Sequence, residues 1–456
     1  MPPPPDQPQP LRSDAAAALA DAFLAGAWTR PGMIQRGHDA LGVEAVPGLR
    51  WLRREVDRVL AAYAHPPRDR PRELAAFVAA TIDARRAAPF PPKHRLVAPG
   101  AMAGRRPWPA IPELDTAGDL ADWLALSHGE LAWFADVQSR ERRADDRRLR
   151  HYTYAWSARP GAPVRFLEQP KARLKAIQRR ILHKLLVHVP AHDAAYGFVP
   201  GRDVLQHARR HAGAAAVLRF DVRDFFVSLP AGRVYGIFRL AGYPEAVAHA
   251  LTGLTTNAVP PGAWADVPAP ADPALHRQHV LLGRRLAAPH LPQGAPTSPL
   301  LANLCAFTLD RRMAALAVKL GATYTRYADD LVLSGDRALA RHAQRTTQTV
   351  RAIVRGQGLR LNETKTTIMV AAQRQRVTGI VVNDHPNIAR DEYDRLRAIL
   401  HNAARAADPH AENRAHVPDF RAHLRGRIAW VEHVNPQRGA KLRARFEQIA
   451  WPASPR

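Results

Sequence analysis

The feature that most constrains this fold is a pair of adjacent aspartates flanked by strand-forming residues. The stretch is residues 322–334, Ala-Thr-Tyr-Thr-Arg-Tyr-Ala-Asp-Asp-Leu-Val-Leu-Ser. Tyr324 on one side and residues 332–333 on the other favour β-strands, so the pattern predicts a hairpin with Asp329 and Asp330 at or near its tip. Adjacent carboxylates repel each other and lose hydration on folding, so a protein that keeps them usually supplies a cation.

A third acid follows another apolar, strand-like run far upstream. Asp221 lies in Val-Leu-Arg-Phe-Asp-Val-Arg-Asp-Phe-Phe, and only folding can bring it to Asp329 and Asp330. Three such carboxylates suit two-metal phosphoryl transfer, in which ions about 4 Å apart activate a hydroxyl and stabilise the leaving oxygen. Mg²⁺ is the expected ion because it prefers hard oxygen ligands. The alternative is a solvated turn, since Asp is a common turn residue.

Composition limits the class of protein. At 456 residues and 46% hydrophobic content, the chain can bury a large core in about two or three domains. The formal charge of +25 and pI near 11.2 indicate a polyanionic partner, with nucleic acid the first candidate. A single cysteine excludes an intramolecular disulfide and a multi-cysteine zinc site. The absence of a long apolar run or a signal peptide predicts a soluble cytoplasmic protein with no membrane partner.

The chain begins with helical signals. Residues 1–13 are Pro-rich and predicted to be a disordered tail. Residues 14–149 are predicted to be a helical N-terminal region, because apolar positions recur there at helical spacing. Within it, Ser127 and Glu130 have the spacing of a capping box that begins a helix.

The pattern changes after residue 150, where alternating aromatic residues predict a hairpin. A basic helix follows that contains Lys171 and Arg173; its charges fit a solvated face or a phosphate contact about equally well. Further on, a loop at Gln293 and Gly294 precedes an apolar helix. Glycine and a side-chain amide there would let a nucleotide approach the backbone closely, although an ordinary helix-start loop explains them too.

Four motifs in this order resemble those of bacterial reverse transcriptases, most closely the retron type. They are, in chain order, Phe-Asp221-Val-Arg-Asp-Phe-Phe, Pro292-Gln-Gly-Ala-Pro-Thr-Ser-Pro, Tyr-Ala-Asp-Asp330 and Leu-Asn-Glu-Thr-Lys365-Thr. Two further stretches resemble marks of the retron enzymes. One is Val377-Thr378-Gly379, and the other is His207-Ala-Arg-Arg-His211, where the family has Asn in the position of His207.

The resemblance implies an α+β right-hand polymerase fold with an antiparallel palm sheet. Fingers and palm would occupy residues 150–385 and a helical thumb residues 386–456. The helical region before them is similar to the N-terminal extension of the longer retron enzymes. The two retron marks imply RNA recognition by His207, His211, Val377, Thr378 and Gly379.

The resemblance also implies roles for individual residues. Asp221 and Asp329 would bind both Mg²⁺ ions, with Asp330 alongside them. Lys365 would protonate the departing pyrophosphate, although a charged structural lysine is an equal alternative.

The nucleotide would contact a second group of residues. Asp224 and Phe225 would offer backbone amides to the triphosphate, and Phe226 would stack under the sugar and exclude a 2′-hydroxyl. Gln293 would contact the incoming nucleotide, and either Lys171 or Arg173 its phosphates.

The function implied by the resemblance is that of a retron RNA-directed DNA polymerase. It would use dNTPs to copy part of a structured non-coding RNA into branched single-stranded DNA (msDNA), priming from a 2′-hydroxyl of an internal guanosine. Anti-phage defence with a separate effector protein is the expected context. The alternatives are a group II intron or diversity-generating reverse transcriptase and, from another class, a non-catalytic RNA-binding scaffold.

Overall fold

The structure of the protein is a computed structural model that describes most of the chain. The described residues are 9–42, 49–68, 70–82, 108, 110–137, 140–144, 146–159 and 161–452. The chain divides into two compact units. The first comprises residues 1–189 and 229–301, and the second comprises residues 190–228 and 302–456.

The first unit starts with helices that share one apolar core. Their bounds are Gln9–Leu24, Arg30–Leu41, Arg50–Ala62 and Pro71–Thr81. Leu19, Leu52 and Val78 are fully buried in this core. Burying each such side chain stabilises the fold by about 1.5–3 kcal/mol, which is why apolar residues at helical spacing bring these helices together.

The first helix begins earlier than the sequence predicts. It starts at Gln9, inside the segment 1–13 that was expected to be a disordered tail. Pro10 falls in the first turn of this helix, where a backbone N–H has no partner within the helix, so proline is tolerated. The remainder of the predicted tail, residues 1–8, lies outside the described residues.

Two capped helices and a hairpin follow in the first unit. The helices span Ala117–Leu124 and His128–Ala135. The Ser127 hydroxyl accepts a hydrogen bond from Glu130 N, and the Glu130 carboxylate accepts one from Ser127 N, which confirms the predicted capping box. Strands β1 (Tyr152–Ser157) and β2 (Arg165–Pro170) then pair antiparallel, as the alternating aromatic residues predict.

Helices make up the rest of the first unit. The basic helix buries Leu174, Ile177 and Ile181 on one face and leaves Arg173 exposed on another. The α-helices are Ala172–Lys184, Ala231–Leu240, Glu245–Thr255, Pro261–Ala265 and Pro273–Leu286, and the 3₁₀ turns are Glu141–Arg143, Arg147–Leu149 and Leu186–His188.

The second unit is built on a four-stranded antiparallel sheet. Its strands are β3 (Ala216–Asp221), β4 (Thr323–Tyr327), β5 (Asp330–Gly335) and β6 (Thr367–Val370), in the order β4-β5-β3-β6. The central strands β3 and β5 are almost entirely buried, which fits their continuous apolar sequences. A two-stranded ribbon of β7 (Arg376–Val377) and β8 (Ile380–Val381) follows.

Helices accompany this sheet and extend to the end of the chain. Leu396, Leu424 and Leu442 on three of the last helices share a core with Val217 and Val332 of the sheet. The α-helices are Val204–Arg209, Phe307–Lys319, Arg337–Arg341, Ala343–Arg355, Arg390–Arg405, Phe420–Val434 and Pro436–Glu447, and the 3₁₀ turns are Glu363–Lys365 and Pro409–Glu412; the helix Ser298–Cys305 contains the boundary between the two units.

The predicted combination of helices and antiparallel sheets is confirmed, whereas the right-hand arrangement remains a prediction. Among the residues that the structure describes, no helix is both long enough and apolar enough to span a membrane.

Candidate active site

The ends of two neighbouring strands bring the three acids together. Asp221 ends β3 and Asp330 begins β5, and the two residues are direct partners in the antiparallel register. Asp329 lies in the turn between β4 and β5, where its carbonyl accepts a hydrogen bond from Val222 N at 2.9 Å. The turn is tight because Ala328 takes a left-handed conformation with φ 56°. Residues far apart in the sequence therefore meet at one end of the sheet.

The surroundings of this cluster disfavour the ionised form of its carboxyl groups. Burial, together with the charges of Asp221 and Asp330, raises the pKa of Asp329 to about 6. Burial also raises the pKa of Asp330, although Arg219 opposes that shift. A cation near Asp221 and Asp329 would relieve the repulsion between them.

The three carboxylates do not form a ready-made metal cage. In the described ranges, no group of three or more His, Cys, Asp or Glu side chains is arranged to hold a metal ion. Both oxygens of Asp330 accept hydrogen bonds from the Arg219 guanidinium at 2.9–3.0 Å. The role of Asp330 beside Asp221 and Asp329 at the metal ions stays a prediction, and Arg219 is the side chain that Asp330 contacts in this structure. Asp221 and Asp329 still fit a hard divalent cation, because they offer carboxylate oxygens that repel each other.

Lys365 supplies a second positive charge to the cluster. Its Nζ donates a hydrogen bond to Asp221 Oδ2 at 3.0 Å, while 57% of its side chain is exposed. The 3₁₀ turn Glu363–Lys365 holds it there, since Asn362 N donates to Asp221 O at 2.8 Å just before the turn. The structure thus places the predicted proton donor beside a predicted metal ligand.

A buried arginine that sequence reasoning missed supports the aspartate turn from behind. Arg326 is fully buried and donates through Nε and Nη2 to the Asp310 carboxylate, at 2.8 and 2.6 Å. Its Nη1 donates to Ala328 O in the turn and to the side-chain oxygen of Asn303. Burial alone would lower the pKa of Arg326, but Asp310 outweighs burial and raises it. The signal in the sequence was a charged residue inside a predicted strand of Thr and Tyr residues.

The turn after β3 contains the residues predicted to face the nucleotide. Asp224 has a left-handed backbone with φ 49°. Phe225 is buried, and the Arg326 guanidinium lies 5.7 Å from its ring centre. Phe226 is only partly buried, and its ring lies 6.4 Å from that of Phe198. Of the two adjacent phenylalanines, Phe226 is therefore the one that a ligand can reach.

The predicted nucleotide loop belongs to the first unit, where strand β2 fixes it. Glu168 N donates to Gln293 O at 2.9 Å, and Glu168 Oε1 lies 3.4 Å from Gln293 N. Gly294 has φ 135°, and a side chain there would meet Glu168 O at 2.7 Å, so only glycine fits. Glu168 itself is fully buried and pairs with His290 at 2.8 Å. The Gln293 side chain remains partly exposed.

The two predicted phosphate ligands of the first unit differ in their availability. The Lys171 ammonium donates to the carbonyls of Arg147 and Arg148 at 3.0 Å each, so it ties two backbone segments together. Arg173 is exposed and makes a long ion pair of 3.4 Å with Glu130. Arg173 is the better candidate, because an exposed pair of this kind is weak and easily exchanged for a phosphate.

Three of the five residues predicted to recognise RNA are buried. His207, His211 and Val377 have no exposed surface, so in this structure they cannot touch RNA. His211 is instead hydrogen-bonded to Thr325 of β4 (2.5 Å) and Ser334 of β5 (2.7 Å). Burial is the main cause that lowers the pKa of His207 to about 4 and of His211 to about 3, which keeps both rings neutral. The spacing of His207 and His211 in the sequence did not show that both side chains face the protein core.

The other two residues form an accessible turn. Thr378 and Gly379 connect β7 to β8 with φ values of 47° and 89°, and Gly379 is exposed. Thr378 Oγ1 lies 3.5 Å from His207 Nδ1, so the buried histidine contacts the turn from inside. Of the five predicted residues, Thr378 and Gly379 are the two that RNA can contact directly in this structure.

Comparison with known proteins gives consistent matches. A family model described as reverse transcriptase (RNA-dependent DNA polymerase) matches residues 160–382, a segment that contains Asp221, Asp329 and Asp330. The chain is 39% identical over 336 residues to the retron Mx65 reverse transcriptase of Myxococcus xanthus, covering 74% of this chain and 72% of that protein. It is 35% identical to the retron Mx162 reverse transcriptase of the same species, covering 75% and 69%. It is 30% identical to the retron Ec86 reverse transcriptase of Escherichia coli, covering 65% and 80%.

We expect Asp329→Asn to stabilise the protein at pH 7.5 without divalent cations, by about 1–2 kcal/mol after allowance for partial exposure. The folded state holds the Asp329 proton up to a pKa of about 6, compared with an ordinary value of 3.8. Wild-type stability therefore falls as pH rises through this window, and the advantage of the variant disappears below it. Urea denaturation in EDTA between pH 4 and 8 measures the difference.

The fully exposed Asp193 provides the control for this experiment. Asp193→Asn should leave the free energy of unfolding almost unchanged, because surface substitutions of this kind usually have small effects. Mg²⁺ should stabilise the wild type more than Asp329→Asn. Equal stability of wild type and Asp329→Asn at pH 7.5 would contradict the charge repulsion described above.

The buried pair of Arg326 and Asp310 yields a second prediction. Arg326→Met leaves the Asp310 carboxylate buried and unpaired, so we expect a loss of about 3–5 kcal/mol in the free energy of unfolding. Adding Asp310→Leu to Arg326→Met should recover part of this loss, because the unpaired charge is removed. The matched control is Arg351→Met in the exposed pair with Glu363, which should cost less than about 1 kcal/mol. Similar losses for the two arginine variants in urea denaturation would refute the role of burial.

Proposed function

This chain belongs to the retron-type reverse transcriptases, and from that premise we propose that it copies part of a structured non-coding RNA into branched single-stranded DNA. As a member of the family it is an RNA-directed DNA polymerase, with an RNA template and a DNA product. The substrates that we propose are dNTPs and a partner RNA that carries both template and primer.

The observation that carries this proposal is the meeting of Asp221 and Asp329 at the end of one sheet. Their backbones are joined through Val222 N and Asp329 O, and burial together with Asp221 raises the pKa of Asp329. Such a pair is costly to a fold that does not use it. A phosphoryl-transfer site does use it, because negative charge is balanced there by cations.

The reverse transcriptase domain implies a divalent metal, and we propose Mg²⁺ held by Asp221 and Asp329. When bound, Mg²⁺ would lower the pKa of the attacking hydroxyl and neutralise charge on the phosphates. We also propose Asp330 alongside these two ligands, where it would exchange part of its contact with Arg219 for the metal.

Lys365 has two roles compatible with its position. Its ammonium lies 3.0 Å from Asp221 and is more than half exposed, so it can turn towards the departing pyrophosphate. There it would donate a proton to a leaving oxygen. Without substrate it balances the charge of Asp221, which is the structural alternative.

The residues after Asp221 would receive the deoxynucleotide. We assign the triphosphate to the backbone amides of the Asp224–Phe225 turn, and the sugar to the accessible ring of Phe226. A bulky ring under the sugar would exclude a 2′-hydroxyl by its volume. Phe225 would support this ring from the core, at a ring distance of 5.8 Å.

Two further residues are assigned to the nucleotide from the family resemblance. Gln293 is assigned to the incoming nucleotide because its loop is fixed at both backbone groups by Glu168. Arg173 is assigned to the phosphates, and Lys171 takes second place since its ammonium already holds two carbonyls.

RNA binding is supported by the charge of the chain. A net charge of +25 favours phosphate contact through counterion release. The accessible turn of Thr378 and Gly379 is the part of the retron marks that we assign to RNA contact. His207, His211 and Val377 would support this turn and the aspartate hairpin from inside.

For the wider context we rely on the motif resemblance to retron enzymes, which the retron names of the relatives support in general terms. We propose priming from a 2′-hydroxyl of an internal guanosine and a role in anti-phage defence with a separate effector protein. We further propose a right-hand layout with fingers and palm over residues 150–385, a thumb over 386–456 and a helical extension over 14–149.

The main test compares the wild type with Asp329→Asn in cells that also express the RNA encoded beside the protein. We expect the wild type to make single-stranded DNA. The amount of this DNA should be lower by about two to three orders of magnitude or more in Asp329→Asn. RNA binding should be equal in both, because the fold and the basic surface are unchanged. DNA is quantified on gels, and RNA affinity is measured with purified protein. Asp193→Asn is the matched control, and equal DNA from wild type and Asp329→Asn would leave only the RNA-binding scaffold.

A second test concerns the choice of sugar. We expect Phe226→Ala to raise the relative use of ribonucleotides by about 10- to 200-fold, because removal of the ring makes room for the 2′-hydroxyl. Single-nucleotide incorporation with dNTPs and rNTPs measures the ratio of kcat/KM values. Phe226→Tyr keeps the ring and should behave like the wild type. If Phe226→Ala discriminates between dNTPs and rNTPs as well as the wild type does, the assignment of Phe226 to the sugar is wrong.

A further inference from the structure

Phe198 is an exposed aromatic residue held in a strained backbone conformation. Its side chain is 47% exposed, and its φ of 61° lies in the left-handed region that non-glycine residues rarely adopt. Such strain persists only where the surroundings enforce it, and it is concentrated at functional sites. The contacts around Phe198 therefore hold its backbone in a conformation that the residue would rarely adopt by itself.

The segment before Phe198 is fixed against the aspartate hairpin. Tyr196 N donates to Arg326 O at 2.8 Å, and the buried Asn303 side chain donates to Gly197 O at 2.8 Å. A side chain at Gly197 would come within 2.8 Å of Ala328 N, so the loop touches the turn that carries Asp329. This close approach explains why glycine precedes Phe198.

The residues after Phe198 are fixed as well. Arg202 donates through Nη1 to the carbonyls of Asp193 and Ala195, at 2.6 Å each. Its guanidinium also lies over the Tyr196 ring, 5.2 Å from the ring centre. A loop closed in this way cannot fold Phe198 inward without breaking several contacts.

Phe198 faces the rings nearest the proposed chemistry. Its ring centre lies 6.3 Å from that of Tyr327, which precedes the aspartate turn, and 6.4 Å from that of Phe226. Aromatic rings beside the path of a nucleic acid stack on bases without regard to sequence, because every base has a flat π-face. An exposed, rigid ring in this place matches that requirement.

We propose that Phe198 stacks on a nucleobase of the template–primer held at the Asp329 turn. This inference rests on the proposed polymerase function and adds a substrate contact that the motifs did not indicate. The template–primer is the favoured partner because Phe226, on the neighbouring side, is already assigned to the incoming nucleotide.

Exposed aromatic residues also occur singly without a function, and Phe307 provides a matched example. It is 42% exposed and starts the regular helix Phe307–Lys319. Its backbone is not among the left-handed residues of the described chain. Phe307→Ala therefore makes the same chemical change at similar exposure and without the strain, in a ring that lies 5.2 Å from His192 rather than beside Phe226 and Tyr327.

The experiment uses the full chain with Phe198→Ala, Phe198→Leu, Phe198→Trp and the control Phe307→Ala. Fluorescence anisotropy gives the Kd for an RNA–DNA template–primer without dNTP, and steady-state incorporation gives kcat and KM for the dNTP. A template with 2-aminopurine near the primer end reports base stacking directly. Melting temperatures identify any variant that does not fold. If Phe198→Ala does not fold, the difference in Kd between Phe198→Leu and Phe198→Trp tests the proposal instead.

We expect Phe198→Ala and Phe198→Leu to raise the template–primer Kd by about 5- to 150-fold, with Trp close to wild type. The 2-aminopurine signal should change only when the aromatic ring is lost, and Phe307→Ala should match the wild type. Unchanged Kd in Phe198→Ala, or a rise confined to KM for the dNTP, would overturn the proposal. A wild-type chain that incorporates no nucleotide would instead overturn the proposed function.

Discussion

The buried ion pair between Arg326 and Asp310 is the interaction on which the aspartate hairpin depends. Both side chains are fully buried, and Tyr324 OH also donates to Asp310 at 2.8 Å. Removing two charges from water costs several kcal/mol, and only well-made hydrogen bonds offset that cost. Arg326 Nη1 also donates to the Asn303 side chain and to Ala328 O. Loss of the ion pair would therefore also remove a hydrogen bond that holds the turn.

The same arginine connects two further parts of the site. Its backbone pairs with the loop that leads to Phe198, through Tyr196 N and Ala194 O, and its guanidinium lies over Phe225. Around this neutralised core, Arg219 and Lys365 each contact one acid at the sheet end. Within the described part of the chain Asp329 forms no ion pair of this kind, and burial together with the charges of Asp221 and Asp330 raises its pKa. A divalent cation is the natural counter-charge.

Sequence reasoning succeeded where a property is local or where the motif itself carries the chemistry. The hairpin around Asp329, the capping box at Ser127 and the antiparallel strands all follow from residue spacing. It failed at His207, His211 and Val377, where the motif gives the residues but not the face they occupy. It also missed Arg326 and Phe198, because a buried ion pair and a strained exposed ring are defined by partners far along the chain. Lys171 shows the same limit, since the carbonyls that bind its ammonium have no sequence signature.

The sequence by itself determined the family, the acids that we propose for the chemistry and the basic charge that suits a nucleic acid, because these depend only on residue types and their order. Tertiary structure decided which basic side chain lies beside each acid. The register of β3 with β5 sets Asp221 against Asp330, while Arg219, two residues earlier on β3, reaches the Asp330 carboxylate. Contacts such as that of Arg219 with Asp330 form only when the strands pair, because pairing brings these side chains within hydrogen-bond distance. The order of residues in the unfolded chain does not specify such contacts.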